Sequence, residues 1–139
     1  MHLARRAWCR TYQTVFRIAL PILPYTEPRI LEHAEDVPAV LQKRSIQKVL
    51  IVTDPGIARL GLTASLERAL TAQGIGVTVY AETRMNPTVS NVEEVAFLYR
   101  ESACQAIIGF GGGSAMDCAK GVGARIAQPN KPINKMRGL

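Results

Sequence analysis

From Lys48 onward, short apolar runs alternate with amphipathic stretches, and glycine, proline, aspartate or asparagine separates them, which is the pattern of βαβ units around a parallel sheet. Lys48–Thr53 reads as the first strand and is broken by Asp54-Pro55-Gly56. A helix is predicted next, with Leu62, Leu66, Ala69 and Leu70 on one face, ending where Gly74 can take the left-handed cap conformation. Gly76–Tyr80 is the second strand. The loop Ala81–Asn86 leads to Pro87 and a helix that carries Val92, Val95, Ala96 and Tyr99. Gln105–Phe110 form the third strand and Ser114–Ala127 the third helix, which Pro129 and Pro132 end. The expected fold is α/β, a Rossmann-like βαβαβα parallel sheet over residues 48–139, with an N-terminal helical and extended segment over residues 1–47.

Right-handed crossovers put the carboxyl ends of all three strands on one edge of the sheet, so Asp54, the Asn86 loop and the turn at Gly111 are expected to open onto a common crevice. That crevice is where the local chemistry points to a ligand. Ala106–Gly109 runs into Phe110-Gly111-Gly112-Gly113-Ser114, an apolar strand passing through a glycine turn into a helix. Glycines let backbone approach a phosphate, and the first-turn N–H groups of the helix have no intrahelical partners and sit at the positive end of its dipole. The alternative is a turn that is glycine-rich only because it is tight. Two common phosphate motifs are excluded. A Walker A loop requires Gly-Lys-Ser/Thr, whereas Gly113 runs into Ser114 and the next lysine is Lys120. A GxGxxG fingerprint fails because the sixth position from Gly109 is Ser114 and the turn follows a later strand.

Gly111 through Lys120 resembles the signature Gly-Gly-Gly-Ser-x-x-Asp-x-Ala-Lys of the iron-containing alcohol dehydrogenases at every fixed position. Val52-Thr53-Asp54 and Asn86-Pro87-Thr88 are similar to that family in order and spacing, and Phe16-Arg17-Ile18-Ala19 and Leu23-Pro24-Tyr25-Thr26-Glu27-Pro28 resemble the amino-terminal stretch of one bacterial branch. Dehydroquinate synthase and glycerol dehydrogenase share a similar glycine turn, but Asn86-Pro87-Thr88 favours the alcohol dehydrogenase branch. The resemblance implies that Gly111, Gly112, Gly113 and Ser114 hold the pyrophosphate of NAD. It gives Asp54 the adenosine ribose, unless that residue only closes an Asp-Pro-Gly turn. Asn86 then contacts the adenosine half or forms an ordinary Asn-Pro turn. Asp117 faces the nicotinamide side or, as a first-turn acid, complements the helix dipole. A carboxylate at Asp54 would repel a 2′-phosphate, so NAD is expected over NADP. The family's hydride transfer between an alcohol or aldehyde and NAD uses iron or zinc held by an aspartate and histidines in a helical second domain. Neither those ligands nor the threonine-rich loop over the nicotinamide is found in these residues, so the expectation is a truncated, inactive fragment with no catalytic or metal residue of its own. A non-enzymatic nucleotide-binding or interaction module is the other reading.

Composition excludes other classes. The 139 residues, 47% hydrophobic, amount to one ordinary globular domain. The net charge of +6 is gathered at the ends: residues 118–139 hold five basic residues and no acid. No aromatic residue interleaves with them, so a solvated tail is expected and nucleic acid is not. His2 and His33 lack partners at ligand spacing. Cys9, Cys104 and Cys118 are odd in number and form no CxxC pair, which argues for a reducing, cytoplasmic compartment. Cys118 reads either as a reactive thiol near a helix start or as a small packing residue. Residues 1–26 carry four arginines and no acid, a composition shared with transit peptides, but they lack serine and are interrupted by Arg17, Pro21 and Pro24. An amphipathic helix with Tyr12, Phe16, Ala19 and Leu20 on one face is expected there, for packing or a homodimer contact, and no membrane span.

Overall fold

The computed structural model describes residues 10, 11, 13–15, 17 and 28–136, and the chain divides into two compact units, residues 1–30 and 31–139. In the first unit the described positions from Arg10 to Arg17 are helical, and the Thr14 hydroxyl donates to the Arg10 carbonyl at 2.9 Å. Tyr12, Phe16, Ala19 and Leu20, which carry the amphipathic pattern, lie outside the described residues, as do Cys9 and His2. No described helix is long and apolar enough to cross a membrane.

The second unit is an α/β layer structure. Its sheet holds β1 (Lys48–Val52), β2 (Gly76–Tyr80) and β3 (Ala106–Gly109), all parallel and in the order β2-β1-β3. Val52 stands beside Tyr80 on one side and Gly109 on the other, so the three strands end level with one another. Around the sheet lie α1 (Val37–Gln42), α2 (Pro55–Arg59), α3 (Ala64–Ala72), α4 (Val89–Glu101) and α5 (Gly113–Ala127).

The two-residue period of β1 sorts the core into two layers. Leu50 and Val52 pack with Val92, Val95 and Ala96 of α4 and Cys118 and Val122 of α5. Val49 and Ile51 point the other way, onto Leu41 of α1 and Leu66 and Leu70 of α3. All four β1 side chains from Val49 to Val52 are fully buried. Each contributes about 1.5–3 kcal/mol of hydrophobic stabilisation, and a central strand covered on both faces therefore reads as an unbroken apolar run. Leu41 joins this core, so the α/β unit reaches upstream of its first strand; the short α1 turn, with Pro38 in its first turn, was not legible as a helix in the sequence.

The helix predicted after β1 is two helices. Gly61 takes φ +64° and its N–H bonds Ala58 O at 3.0 Å, which ends α2 and leaves Leu62 half exposed outside the buried face. α3 then ends as expected: Gly74 adopts φ +73°, its N–H bonds Thr71 O at 2.9 Å and that of Ile75 bonds Leu70 O at 3.0 Å, the paired bonds of a Schellman cap. α4 ends with the same pair, Ala103 N–H to Arg100 O at 2.9 Å and Cys104 N–H to Tyr99 O at 3.0 Å, but here an alanine occupies the left-handed position at φ +50°.

Candidate functional site

The strand order makes the site. The chain runs from β1 to β2 on one side and then crosses β1 to place β3 on the other, so the order reverses between β1 and β3 and a crevice opens beyond their carboxyl ends. Asp54 follows β1 and the glycine turn follows β3. The Phe110 N–H bonds Val52 O at 2.9 Å, which ties the entry of the turn to the end of the central strand.

Asp54 is in extended conformation at the N-cap of α2, where Oδ1 accepts from Gly56 N at 2.8 Å and from Ile57 N at 3.0 Å. One carboxylate oxygen is thus committed to capping. The other faces the glycine turn: a Cβ on Gly111 would lie 3.1 Å from Asp54 Oδ2 and 3.4 Å from both Ala115 Cβ and Ile57 Cγ1. Gly111 also has φ +136°, which a side chain would strain. Glycine at 111 is therefore a demand of the fold itself. Gly112 and Gly113 differ, because a Cβ at either position would meet no heavy atom within 4 Å. Nothing in the described chain requires them to be glycine.

Gly112 is the N-cap of α5 and has no side-chain cap. The Met116 N–H closes onto Gly112 O at 3.1 Å, which leaves the N–H groups of Gly113, Ser114 and Ala115 ahead of the first intrahelical bond. These donors, on a helix of 15 residues, face the positive end of the dipole. Asp54, Gly112, Gly113 and Ser114, with Pro55, Thr83 and Met85, line a cleft of about 330 Å³. A second cleft of about 550 Å³ shares Pro55, Thr83 and Met85 and adds Tyr80, Glu82, Arg84 and Glu94.

The predicted residues do not all converge. Asp54, Gly112, Gly113 and Ser114 line one cleft, and Gly111 supports it from within the turn. Asn86 is exposed, with φ +56°, and lines neither cleft; its neighbours Arg84 and Met85 do. Asp117 lies beyond the first turn of α5, which contains no acid, and is exposed beside Lys120 in an i,i+3 pair at 3.5 Å. Such an exposed pair contributes little. Thr83, Met85 and Tyr80 were missed, although residues immediately after a parallel strand's carboxyl end face the crevice by topology alone.

A polar cluster borders the larger cleft. The Asn91 amide donates from Nδ2 to Tyr80 Oη at 2.6 Å, and the Tyr80 hydroxyl lies 3.2 Å from Glu94 Oε2 and donates to it. Burial, then the Glu94 charge, pushes the Tyr80 hydroxyl up to about 12, so it stays protonated and able to donate. Cys118 is fully buried in the core layer that α4 and α5 form with β1, and burial raises its pKa. The Thr83 hydroxyl tempers that rise, yet it makes no hydrogen bond of ordinary geometry among the described residues. A thiol so held is protonated and inert, which settles Cys118 as a packing residue. Among the described residues no three His, Cys, Asp or Glu side chains gather to hold a metal ion.

The model of the iron-containing alcohol dehydrogenase family matches residues 30–138. The chain belongs to that family. It is 39% identical over 92 residues to the sulfoacetaldehyde reductase of Bilophila wadsworthia, covering 66% of this chain and 24% of that protein. Among solved structures, the alcohol dehydrogenase from Oenococcus oeni matches with a TM-score of 0.69 and 30% identity over 76% of this chain and 28% of the other. The NADH-dependent butanol dehydrogenase A of Thermotoga maritima matches with a TM-score of 0.64 and 25% identity, over 76% and 29% respectively. The chain therefore spans about a quarter of the length of the relatives it matches.

Proposed function

We propose that this chain is the NAD-binding part of an iron-containing alcohol dehydrogenase, an oxidoreductase that passes hydride between an alcohol or aldehyde and NAD(H). The observation that carries this reading is the contrast within the glycine turn. Gly111 is required internally, whereas Gly112 and Gly113 border open space in a cleft lined by helix N–H groups. A turn that was glycine-rich only to be tight would not need the second and third glycines. They leave room for a ligand to come within hydrogen-bonding distance of backbone, and the three free donors of α5 suit a diphosphate. The name of the Thermotoga maritima relative, an NADH-dependent butanol dehydrogenase, supports the same cofactor.

NAD, when bound, supplies the nicotinamide that accepts or donates hydride. The chain's own residues bind and orient it. Ser114 and the α5 N–H groups hold the pyrophosphate, and Asp54 Oδ2, the oxygen not engaged in capping, accepts from the adenosine ribose. The adenosine half then lies in the larger cleft, near the loop that ends at Asn86. That cleft carries Glu82 and Glu94 against Arg84 and adjoins the one lined by Asp54, so the charge around it is negative and disfavours a 2′-phosphate. Among the described residues no group of three or more His, Cys, Asp or Glu could hold iron or zinc. This reading gives the chain cofactor binding and not turnover, and it places the protein in solution, in the cytoplasm. Equilibrium titration of the chain with NAD and NADP tests it. Tighter binding of NAD is expected, and binding of neither, or preference for NADP, contradicts the proposal.

A further inference from the structure

The loop from Ala81 to Thr88 supplies Thr83 and Met85 to both clefts, yet its own backbone has few anchors. The Thr83 N–H bonds Thr53 O at 3.3 Å, which fixes the loop to the end of β1. The next tether is a side chain. Asn91, on the first turn of α4 and 4% exposed, reaches back from the helix: its Oδ1 accepts from Arg84 N–H at 3.4 Å, and its Nδ2 donates to Tyr80 Oη at 2.6 Å. Its own N–H is capped by Thr88 Oγ1 at 3.3 Å. One buried amide therefore joins the last residue of β2, the middle of the loop and the start of α4.

A buried polar side chain in the first turn of an otherwise apolar helix face is costly unless its groups are paired, and here each is paired with an element that borders the crevice. Glu94 completes the arrangement by holding the Tyr80 hydroxyl from the other side at 3.2 Å, so Tyr80 donates to Glu94 and accepts from Asn91. The rotamer of Asn91 is thereby set by Tyr80, and the height of the loop is set by Asn91.

We infer that Asn91 is a positioning residue for the dinucleotide: it does not touch the ligand but latches the Thr83–Met85 rim at the depth the cofactor needs. The inference rests on the nucleotide reading of the crevice. An amide suits this task because it offers an acceptor to Arg84 and a donor to Tyr80 at once; an aliphatic side chain of like volume offers neither.

The test compares the intact chain with three variants, by NAD titration and by amide hydrogen exchange at Arg84. Asn91→Leu should weaken NAD binding about tenfold, the scale expected when a rim is misplaced by a fraction of an ångström, and should speed exchange at Arg84. Asn91→Asp in its protonated form keeps an acceptor for Arg84 N–H and a donor to the Tyr80 hydroxyl, whose own proton goes to Glu94, so Arg84 protection and most of the affinity should return at mildly acid pH; this variant also carries the test if the leucine chain does not fold. Val95→Ala loosens the same helix one turn further on, from a fully buried site, and should lower stability while NAD affinity stays within about twofold. Equal losses of affinity in Val95→Ala and Asn91→Leu, or unchanged Arg84 exchange in the latter, overturn the latch. Gly112→Val separates the two ideas. If it abolishes binding while Asn91→Leu spares it, only the latch falls; if the unsubstituted chain binds no NAD, the nucleotide reading falls and takes the latch with it.

Discussion

Replacing Gly112 by valine separates what the glycine turn does for the fold from what it does for a ligand. The folding cost should be small. Gly112 has φ −78° and ψ −171°, extended backbone that valine adopts readily, and a Cβ there meets nothing within 4 Å. Glycine is a better N-cap than valine by about 0.5–1 kcal/mol, and the stiffer unfolded chain of the variant returns about 0.4–1 kcal/mol. The two nearly cancel. The ligand side does not cancel. A valine over the first turn of α5 blocks a diphosphate from its N–H groups, and losing two hydrogen bonds to a charged group, each about 1.5–3 kcal/mol, lowers affinity by two orders of magnitude or more. Titration calorimetry with NAD reads the affinity, and circular dichroism with thermal melting reads the fold. An unchanged dissociation constant would show that no phosphate sits over Gly112, and a variant that unfolds would show that the space beside Gly112 is not free. Gly111→Ala is the matched contrast: with φ +136° and Asp54 Oδ2 at 3.1 Å from the new Cβ, it should cost about 1–3 kcal/mol of stability.

Three other outcomes follow from the same geometry. Asp54→Asn keeps an oxygen to cap Gly56 and Ile57 while removing the charge, so stability should hold and NADP should gain on NAD by about 1–4 kcal/mol, read as the ratio of the two dissociation constants; an unchanged ratio removes Asp54 from the ribose. Ala103→Gly relieves a left-handed alanine at φ +50° in the cap of α4 and should raise the unfolding free energy by about 0.5–1 kcal/mol in urea titration; a loss would mean the cap is not formed in solution. Tyr80 has its pKa raised from 10.0 to about 12, so the folded state favours the neutral phenol: that stabilisation is complete below pH 10 and is lost as the pH rises through 12. The drop amounts to about 2–3 kcal/mol at most, and Tyr80→Phe should abolish this share of the alkaline loss of stability.

Most of the fold was legible because its signals are local. An unbroken apolar run over residues 49–52, the glycine that ends α3 and the apolar face of α4 each leave a pattern in consecutive residues. The glycine turn was legible for the same reason. The split between α2 and α3 was not, since Gly61 inside an apolar periodicity looks like a tolerated interruption until its φ is known. Nor was the internal arrangement of the site. That a side chain at Gly111 would meet Asp54 while one at Gly112 would meet nothing, and that Asn91 reaches Tyr80, are facts of packing between separate elements. Asn86 and Asp117 show the converse. Both sit in segments that match the family in sequence, yet both are exposed and lie outside the two clefts.

The central claim is that a dinucleotide seats its phosphates on the first turn of α5. Nuclear magnetic resonance of the isotope-labelled chain, titrated with NAD, tests it most directly, because each backbone amide reports separately. The account predicts that the amides of Gly112, Gly113, Ser114 and Ala115 shift together and saturably, and that the amide of Gly74, which precedes the amino end of β2 at the opposite edge of the sheet, stays in place. Saturable shifts confined to other residues, or none at this turn at millimolar NAD, would contradict it.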